Sequence, residues 1–319
     1  MRRIIGVITI RHATYDLRQM QSLPLEAKII MSQRRIRDWY DYWDGEVYVS
    51  FSGGKDSTVL KHLVETTPGV YDVPSVFVNT GLEYPEVRRF ATSQPNVTVI
   101  TPKMRFDQVI EKYGYPVATK EQAAFVQEYR TTKSEKLRNI RLNGNKWGRG
   151  KISKRWLPLI DAPFKVSDKC CDIMKKNPVK DYEKETGRKP YIGTMAYESK
   201  QRESNWLLYG CNAFDKKRPT SQPLSFWTEQ DILEYIVKFD LPYSPVYGEI
   251  KRDCDGKLYT TGADRTGCMF CMFCMFGCHL EKEPNRFQRI KETHPKQYDY
   301  CMDELGLREV LDYIGVPYD

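Results

Sequence analysis

The stretch EVYVSFSGGKDSTVLKHLVE, residues 46–65, decides the reading of the chain. Glu46 to Phe51 is a short β-rich run of the kind buried in a parallel sheet, and Thr58 to Glu65 has helical character. Between them lies SGGKDS, Ser52 to Ser57, so the sequence predicts a strand, a glycine turn and a helix in immediate succession. Gly53 and Gly54 let backbone N–H groups approach a phosphate with no Cβ in the way. The helix amino terminus adds partial positive charge, and the hydroxyls of Ser52 and Ser57 can donate. Lys55 supplies a point charge, and Asp56 can hold a magnesium ion that bridges phosphate oxygens. An ordinary surface turn could contain two glycines, but the full S-G-G-K-D-S pattern in this context argues for a phosphate site. It is not the G-x-x-x-x-G-K-[ST] loop of common nucleotide triphosphatases.

Working outward, residues 24–44 read as a helix, with Pro24 near its start and Gly45 ending it. Further strands are predicted over Ser75–Asn79, Asn96–Thr101 and Pro190–Met195, each followed by a polar or helix-like segment. Strands alternating with helices at this spacing imply an α/β fold with a parallel, Rossmann-like sheet. Such sheets bind ligands beyond the carboxyl ends of their strands, where SGGKDS and NTGLEYPE both fall. Residues 227–239 predict an amphipathic helix capped by Thr228, with Asp231 at its third position. Two helix-like segments, Asn285–Glu292 and Tyr298–Ile314, close the chain. The expected organisation is a helical arm over 1–45, a phosphate-binding α/β domain over 46–240, and a cysteine-rich subdomain over 241–319.

The bulk composition is that of a globular protein: 319 residues, 40% hydrophobic and 29% charged. No apolar run approaches the roughly 18 residues needed to span a bilayer, and MRRIIGVITI is too short for a signal-peptide core. The expectation is a cytoplasmic protein without a membrane partner. The net charge of +8 is concentrated. Arg130 to Arg155 holds ten Lys or Arg residues against one acid, Glu135, interleaved with Gly144, Trp147, Gly148 and Gly150. This predicts a mobile basic loop, an insertion over 130–155 that meets a polyanion such as nucleic acid.

Nine cysteines are present, four of them in GCMFCMFCMFGC, Gly267 to Cys278. In a reducing compartment, clustered cysteines bind metal or do redox chemistry more often than they form disulfides. The run Cys268-x2-Cys271-x2-Cys274-x3-Cys278 has the spacing of ferredoxin-type ligation, without the following proline. Cys170-Cys171 with Cys268-x2-Cys271 could alternatively form a distorted zinc site. Adjacent cysteines suit a cluster better, because neighbouring thiolates can bind different irons. The alternative of a plain apolar core with cysteines as small hydrophobes has to explain a period of three, which fits neither strand nor helix. Six candidates, Cys170, Cys171, Cys268, Cys271, Cys274 and Cys278, exceed four ligands, with Cys274 the natural spare. His279 is a further neighbour, read as a polar loop residue.

The glycine turn resembles the PP-loop of the adenine nucleotide alpha-hydrolase superfamily. NTGLEYPEV (Asn79–Val87), EKYGYP (Glu111–Pro116), KCCDIMKKNPV (Lys169–Val179), IGTMAYESKQR (Ile192–Arg202) and QPLSFWTEQDILEYI (Gln222–Ile236) are similar, in order, to segments of the phosphoadenosine phosphosulfate reductase family. The resemblance spans about residues 25–280. It implies a PP-loop Rossmann-like fold and a nucleotide pocket to which Thr80, Gly81, Glu83 and Gly193 contribute. It also implies phosphate or sulfate contacts from Arg202 and Arg265, and a 4Fe–4S cluster at the cysteines, with Zn2+ the alternative.

Departures from that family shape the expected activity. Its reductases carry a degenerate glycine loop and a Glu-Cys-Gly-type segment, whereas SGGKDS is intact and the last cysteine, Cys301, lies in YCMDELG. The expectation is therefore an enzyme that binds ATP and Mg2+, with Lys55 and Asp56 catalytic. It would adenylylate a nucleotide or nucleic-acid substrate, forming AMP and pyrophosphate, and transfer sulfur. This is the balance of the iron–sulfur ATPase component of DNA phosphorothioation and of phage and prophage reductase-like proteins. Reduction of adenylylated sulfate, with Cys301 as the thiol, is one alternative. Nucleic-acid binding without catalysis, around a structural metal site, is the other. A homo-oligomer or a sulfur-donor protein are the remaining partner classes.

Overall fold

In a computed structural model of the protein, the described residues are 12–273 and 281–319. The chain begins with α1 (Thr14–Gln21) and α2 (Leu25–Tyr42), then alternates β1 (Val47–Ser50), α3 (Lys55–Thr66), β2 (Ser75–Val78), α4 (Pro85–Ser93) and β3 (Val97–Ile100). Three helices follow, α5 (Phe106–Tyr113), α6 (Lys120–Thr131) and α7 (Glu135–Asn143), before α8 (Asn177–Thr186). Next come β4 (Lys189–Ile192), α9 (Lys200–Tyr209), β5 (Asn212–Ala213), β6 (Thr220–Ser221) and α10 (Glu229–Lys238). A hairpin of β7 (Ile250–Arg252) and β8 (Leu258–Thr260) precedes α11 (Arg286–Thr293), α12 (Pro295–Asp299) and α13 (Leu307–Ile314).

These elements form two compact units that interleave along the chain. The first comprises residues 1–78, 84–100 and 180–266, and the second residues 79–83, 101–179 and 267–319. The division therefore does not follow contiguous boundaries at 45 and 240: the amino-terminal helices belong to the sheet unit, and the 130–155 insertion belongs to the cysteine unit.

The first unit is a six-stranded sheet in the order β3-β2-β1-β4-β6-β5. All pairings are parallel except the edge pair β5–β6. The expected α/β architecture with a mainly parallel sheet is thus observed. β1 sits at the switch point: Val49 pairs with Ser75 on one side and Tyr191 on the other. In a doubly wound sheet that reversal opens a crevice at the strand's carboxyl end, which is where Ser52 to Ser57 follow. The β-rich sequence of β1 is what its position demands, since Val47, Tyr48 and Val49 are all buried. α2 and α3 add Ile36, Trp39, Leu60 and Leu63 to the same core as Trp206, Trp227 and Tyr235.

Two buried polar links pin α2 to this unit. Lys28 Nζ donates to both carboxylate oxygens of Asp231, at 2.8 and 2.7 Å. Ser32 Oγ donates to the Pro223 carbonyl and accepts from Trp227 Nε1, each at 2.9 Å. Asp231 also completes the predicted cap of α10, accepting from Thr228 N and Oγ1 at 2.6 and 2.8 Å.

The second unit is helical, with Phe106, Val126, Trp156, Phe287, Leu307 and Leu311 buried. Tyr115 and Tyr313 flank Phe164 edge-on and donate to the carbonyls of Leu305 and Pro158. Two expectations are corrected here. The basic stretch is not one loop, because α7 occupies Glu135–Asn143, capped by Ser134. The single helix expected over Tyr298–Ile314 is broken by Gly306, whose φ of 65° takes the left-handed conformation that glycine allows. Among the described residues no helix is long and apolar enough to cross a membrane.

Candidate functional site

The loop Ser52–Ser57 leaves β1 and enters α3 as expected. Gly53 has φ +72°, and a Cβ there would lie 2.9 Å from Ala91 Cβ and 3.0 Å from the Val87 carbonyl, so glycine is required. Ser57 Oγ and Thr58 Oγ1 donate back to the Gly54 carbonyl, at 2.9 and 3.0 Å. Ser52 N donates to Ser57 Oγ at 3.2 Å, and Gly54 N to Ser52 Oγ at 3.3 Å. The turn is thereby preorganised by its own serines. Gly193, beyond β4, approaches the same loop: a Cβ there would meet the Asp56 carbonyl at 3.2 Å.

A cavity of about 270 Å³ opens over the loop, lined by Ser52, Gly54, Lys55, Asp56, Gly193, Glu198, Arg202 and Arg265 among others. The sequence-based set is therefore largely brought together within the sheet unit. Lys55 is buried; its Nζ donates to the Asp264 carbonyl at 2.5 Å and pairs with Glu229 at 2.7 Å. Its backbone N–H donates to Tyr247 Oη at 3.3 Å, and that hydroxyl bonds Thr266 Oγ1 at 2.7 Å. Glu198 accepts from Met195 N at 2.8 Å, pairs with Arg202, and lies 3.3 Å from Arg265. It orients the two guanidiniums.

Asp56 is the outlier in this site. Its Oδ1 is buried with no hydrogen-bond partner. Burial raises its carboxyl above the ordinary value, with Lys55 and Arg265 opposing. A buried carboxylate oxygen without a donor costs free energy unless something else satisfies it. A hard divalent cation, which takes oxygen ligands, is such a group. Burial also pushes the Tyr247 and Tyr197 hydroxyls up to about 12, so both are neutral donors at physiological pH.

Some expected positions fall elsewhere. Thr80, Gly81 and Glu83 lie in the second unit, where Glu83 accepts from Thr80 N at 3.1 Å and from Thr80 Oγ1 at 2.6 Å. Lys200 is exposed on α9. Conversely, Glu229, Tyr247, Asp264 and Thr266 were missed. Only Glu229 had a sequence signal, its place in the first turn of the predicted helix.

The cysteines form a separate site in the second unit. Cys170, Cys171, Cys268 and Cys271 line one small cavity with Leu82, Phe106, Met174, Lys175 and Phe270. Cys170 and Cys171 run directly into a π-helical turn, Asp172–Lys176, which carries Met174 and Lys175. The Cys268-x2-Cys271 turn closes with Cys271 N donating to the Cys268 carbonyl at 3.2 Å. Burial raises the thiols of Cys170 and Cys268 and pushes Cys271 up to about 12. Lys175, which sequence reading passed over, has its ammonium favoured by Cys268 first and Glu83 second. Among the described residues no group of three or more His, Cys, Asp or Glu is placed to hold a metal ion. The proposed ligands Cys274 and Cys278, and His279, lie outside the described residues. Cys301 is wholly buried in the turn before α13, and burial raises its thiol far above the ordinary range. It is poorly placed to act as a nucleophile.

The family described as phosphoadenosine phosphosulfate reductase domain matches residues 46–151 and 148–274. An uncharacterised protein of Methanocaldococcus jannaschii is 25% identical over 268 residues, covering 83% of this chain but 42% of that protein. The chain thus spans about two-fifths of that relative's length. A phosphoadenosine 5'-phosphosulfate reductase of Alkalilimnicola ehrlichii is 19% identical over 232 residues, covering 72% of this chain and 77% of the relative. A solved phosphoadenylyl-sulfate reductase of Candida auris, in a phosphate complex, aligns with 15% identity and a TM-score of 0.39, over 78% of this chain and 99% of that one.

Proposed function

Because the chain belongs to the phosphoadenosine phosphosulfate reductase family, we propose that it is a PP-loop enzyme that binds Mg·ATP and adenylylates an acceptor for sulfur transfer. The observation that carries this reading is the intact SGGKDS loop, with Asp56 Oδ1 buried and without a hydrogen-bond partner, beside a polar cavity that Asp56 lines. A bound sulfonucleotide has no need of a buried carboxylate beside its phosphate; a magnesium-bridged triphosphate does. Asp56 would hold Mg2+, which neutralises charge on the departing pyrophosphate. Lys55 exchanges its Glu229 partner for phosphate oxygens, while the loop's N–H groups, Arg202 and Arg265 orient the chain of phosphates. The acceptor oxygen then attacks the α-phosphorus. A new O–P bond forms, the bond to the bridging oxygen breaks, pyrophosphate leaves, and the acceptor proton passes to solvent. In the second half-reaction the terminal sulfur of a donor persulfide displaces AMP from the acceptor, forming an acceptor–donor disulfide. A second thiol then attacks the donor sulfur, breaking the S–S bond and leaving the acceptor as thiolate and the donor as a disulfide.

Cys170, Cys171, Cys268 and Cys271 are the residues that would hold an iron–sulfur cluster. They line one small cavity, and the adjacent Cys170 and Cys171 suit a cluster, whose separate irons can take neighbouring thiolates, better than a single zinc ion. A bound cluster supplies electron transfer or a site for sulfur. The chain's own part is to present the thiols, with Lys175 offsetting their negative charge and the surrounding apolar side chains limiting water.

A second reading, reduction of adenylylated sulfate, draws on the relatives named for that activity. It requires an attacking thiol, and the enclosed Cys301 argues against it. Calorimetric titration separates the two. The proposal expects Mg·ATP to bind more tightly than adenylylated sulfate, with binding lost in Lys55→Ala and Asp56→Asn. Preference for adenylylated sulfate, with sulfite release on adding a thiol, would replace it by the second.

A further inference from the structure

The insertion between residues 130 and 155 has a structure that its charge alone does not explain. α7 buries none of its residues. Beyond it, Asn145 to Arg149 form a tight turn. Gly148 N donates to the Asn145 carbonyl at 2.7 Å, and Asn145 N to the Arg149 carbonyl at 2.8 Å. Asn145 Oδ1 accepts from Trp147 N and Arg149 N, both at 3.0 Å. The backbone of Trp147 is thereby fixed, yet its side chain is 70% exposed. Lys146 Nζ lies 4.2 Å from the centre of the indole ring.

The base of the turn is anchored as well. Arg141 donates to Glu128 at 2.7 Å and to the Gly150 carbonyl at 2.6 Å, and stacks 4.1 Å over Phe125. Ile152 N donates to the Arg141 carbonyl at 2.7 Å. One cation of the stretch is thus spent on holding the turn to α6. The others are not. Lys133, Lys136, Lys146, Arg149, Lys151 and Lys154 are exposed, and none pairs with a described carboxylate.

Leaving a tryptophan in water forfeits one of the largest apolar payloads a residue offers, and surface lysines need no such companion. A turn braced on both sides of an exposed indole, ringed by unpaired cations, has the two parts of a strand-binding surface: a stacking platform and charges that track phosphates. We propose that residues 130–155 bind single-stranded nucleic acid, with Trp147 stacking on an unpaired base and the exposed lysines and Arg149 contacting the backbone. A duplex hides its base faces, so the indole has no role there. An anionic membrane surface would need an exposed apolar helix face, and of the apolar residues of α7 (Leu137, Ile140 and Leu142) Leu142 alone is exposed. The proposal does not depend on the adenylylation reading.

The test is fluorescence anisotropy of the full chain with labelled single-stranded DNA and RNA, with the matching duplex and phosphatidylserine vesicles as competitors. Trp147→Ala should weaken single-strand binding about 5- to 150-fold, and Trp147→Phe far less. Lys146→Ala with Arg149→Ala should flatten the logarithmic salt dependence by about 1.4. Mg·ATP binding and circular dichroism of these variants should be unchanged, whereas Lys55→Ala should leave strand binding intact. Equal affinity of Trp147→Ala and the unmodified protein would overturn the proposal. So would tighter binding to duplex or vesicles. Should Trp147→Ala fail to fold, quenching of the indole fluorescence by bound strand decides the same point, absence of quenching counting against it.

Discussion

Replacing Lys28 by methionine should be among the most damaging single changes in the sheet unit. The Nζ is buried and makes three charge-assisted contacts, to the Gln21 carbonyl at 2.7 Å and to both oxygens of Asp231 at 2.8 and 2.7 Å. Methionine fills similar volume, so the cost is electrostatic and not one of packing. Removing one partner of a buried ion pair leaves an uncompensated charge, typically worth about 3–5 kcal/mol. Asp231 keeps its two bonds from Thr228, which places the expectation near the lower bound, about 3 kcal/mol. Against a total stability of roughly 5–15 kcal/mol, that is a large fraction. Urea unfolding should show a lower midpoint with an unchanged slope. Adding Asp231→Asn should recover much of the loss, because a neutral amide oxygen still caps α10 without a buried charge. Asp231 and Glu229 share the first turn of α10, and Glu229 contacts Lys55, so Lys28→Met should also weaken Mg·ATP binding modestly. A loss below about 1 kcal/mol, the worth of an exposed pair, would refute the reasoning.

Other expectations concern single groups. Asp56→Asn should raise the stability of the nucleotide-free protein by about 1–3 kcal/mol, since it removes a buried charge that lacks a donor, while abolishing Mg·ATP binding; differential scanning fluorimetry with and without Mg·ATP reads both. His62 is partly buried beside Tyr235 and its pKa is lowered by that burial. The unfolded chain therefore takes up the proton first, so stability should fall as pH drops below about 6.5. His62→Gln should reduce that slope in urea titrations across the window. Cys170→Ser and Cys271→Ser should each lower the iron and sulfide content of protein purified without oxygen, with loss of absorbance near 400 nm. Cys211→Ser, away from that cavity, should not.

How much could be read from the sequence depends on how local the cause was. Glu46–Phe51 and the helix after SGGKDS follow from glycine chemistry and β-branched runs, and the structure places β1 and α3 there. Thr228 and Asp231 announced the cap of α10 for the same reason. α7 was missed because its three apolar residues, Leu137, Ile140 and Leu142, make only a short, incomplete stripe within a dense run of charge. The β7–β8 hairpin escaped because its strands have three residues each, and Ile250, Lys251 and Arg252 carry no alternation. The walls of the nucleotide cavity were hardest. Tyr247 and Asp264 reach Lys55 from about two hundred residues away, Thr266 joins through the Tyr247 hydroxyl, and nothing local marks them. Gly306 shows the converse: one glycine divided an otherwise continuous helical pattern.

The most direct test of the account is the product of ATP turnover. Protein purified without oxygen should, with Mg·ATP, a nucleotide or nucleic-acid acceptor and a persulfide sulfur donor, release pyrophosphate and AMP in equal amounts. Lys55→Ala and Asp56→Asn should each reduce that release to background. Formation of ADP and phosphate, or pyrophosphate release that persists in both variants, would contradict the assignment of SGGKDS as an adenylylation loop.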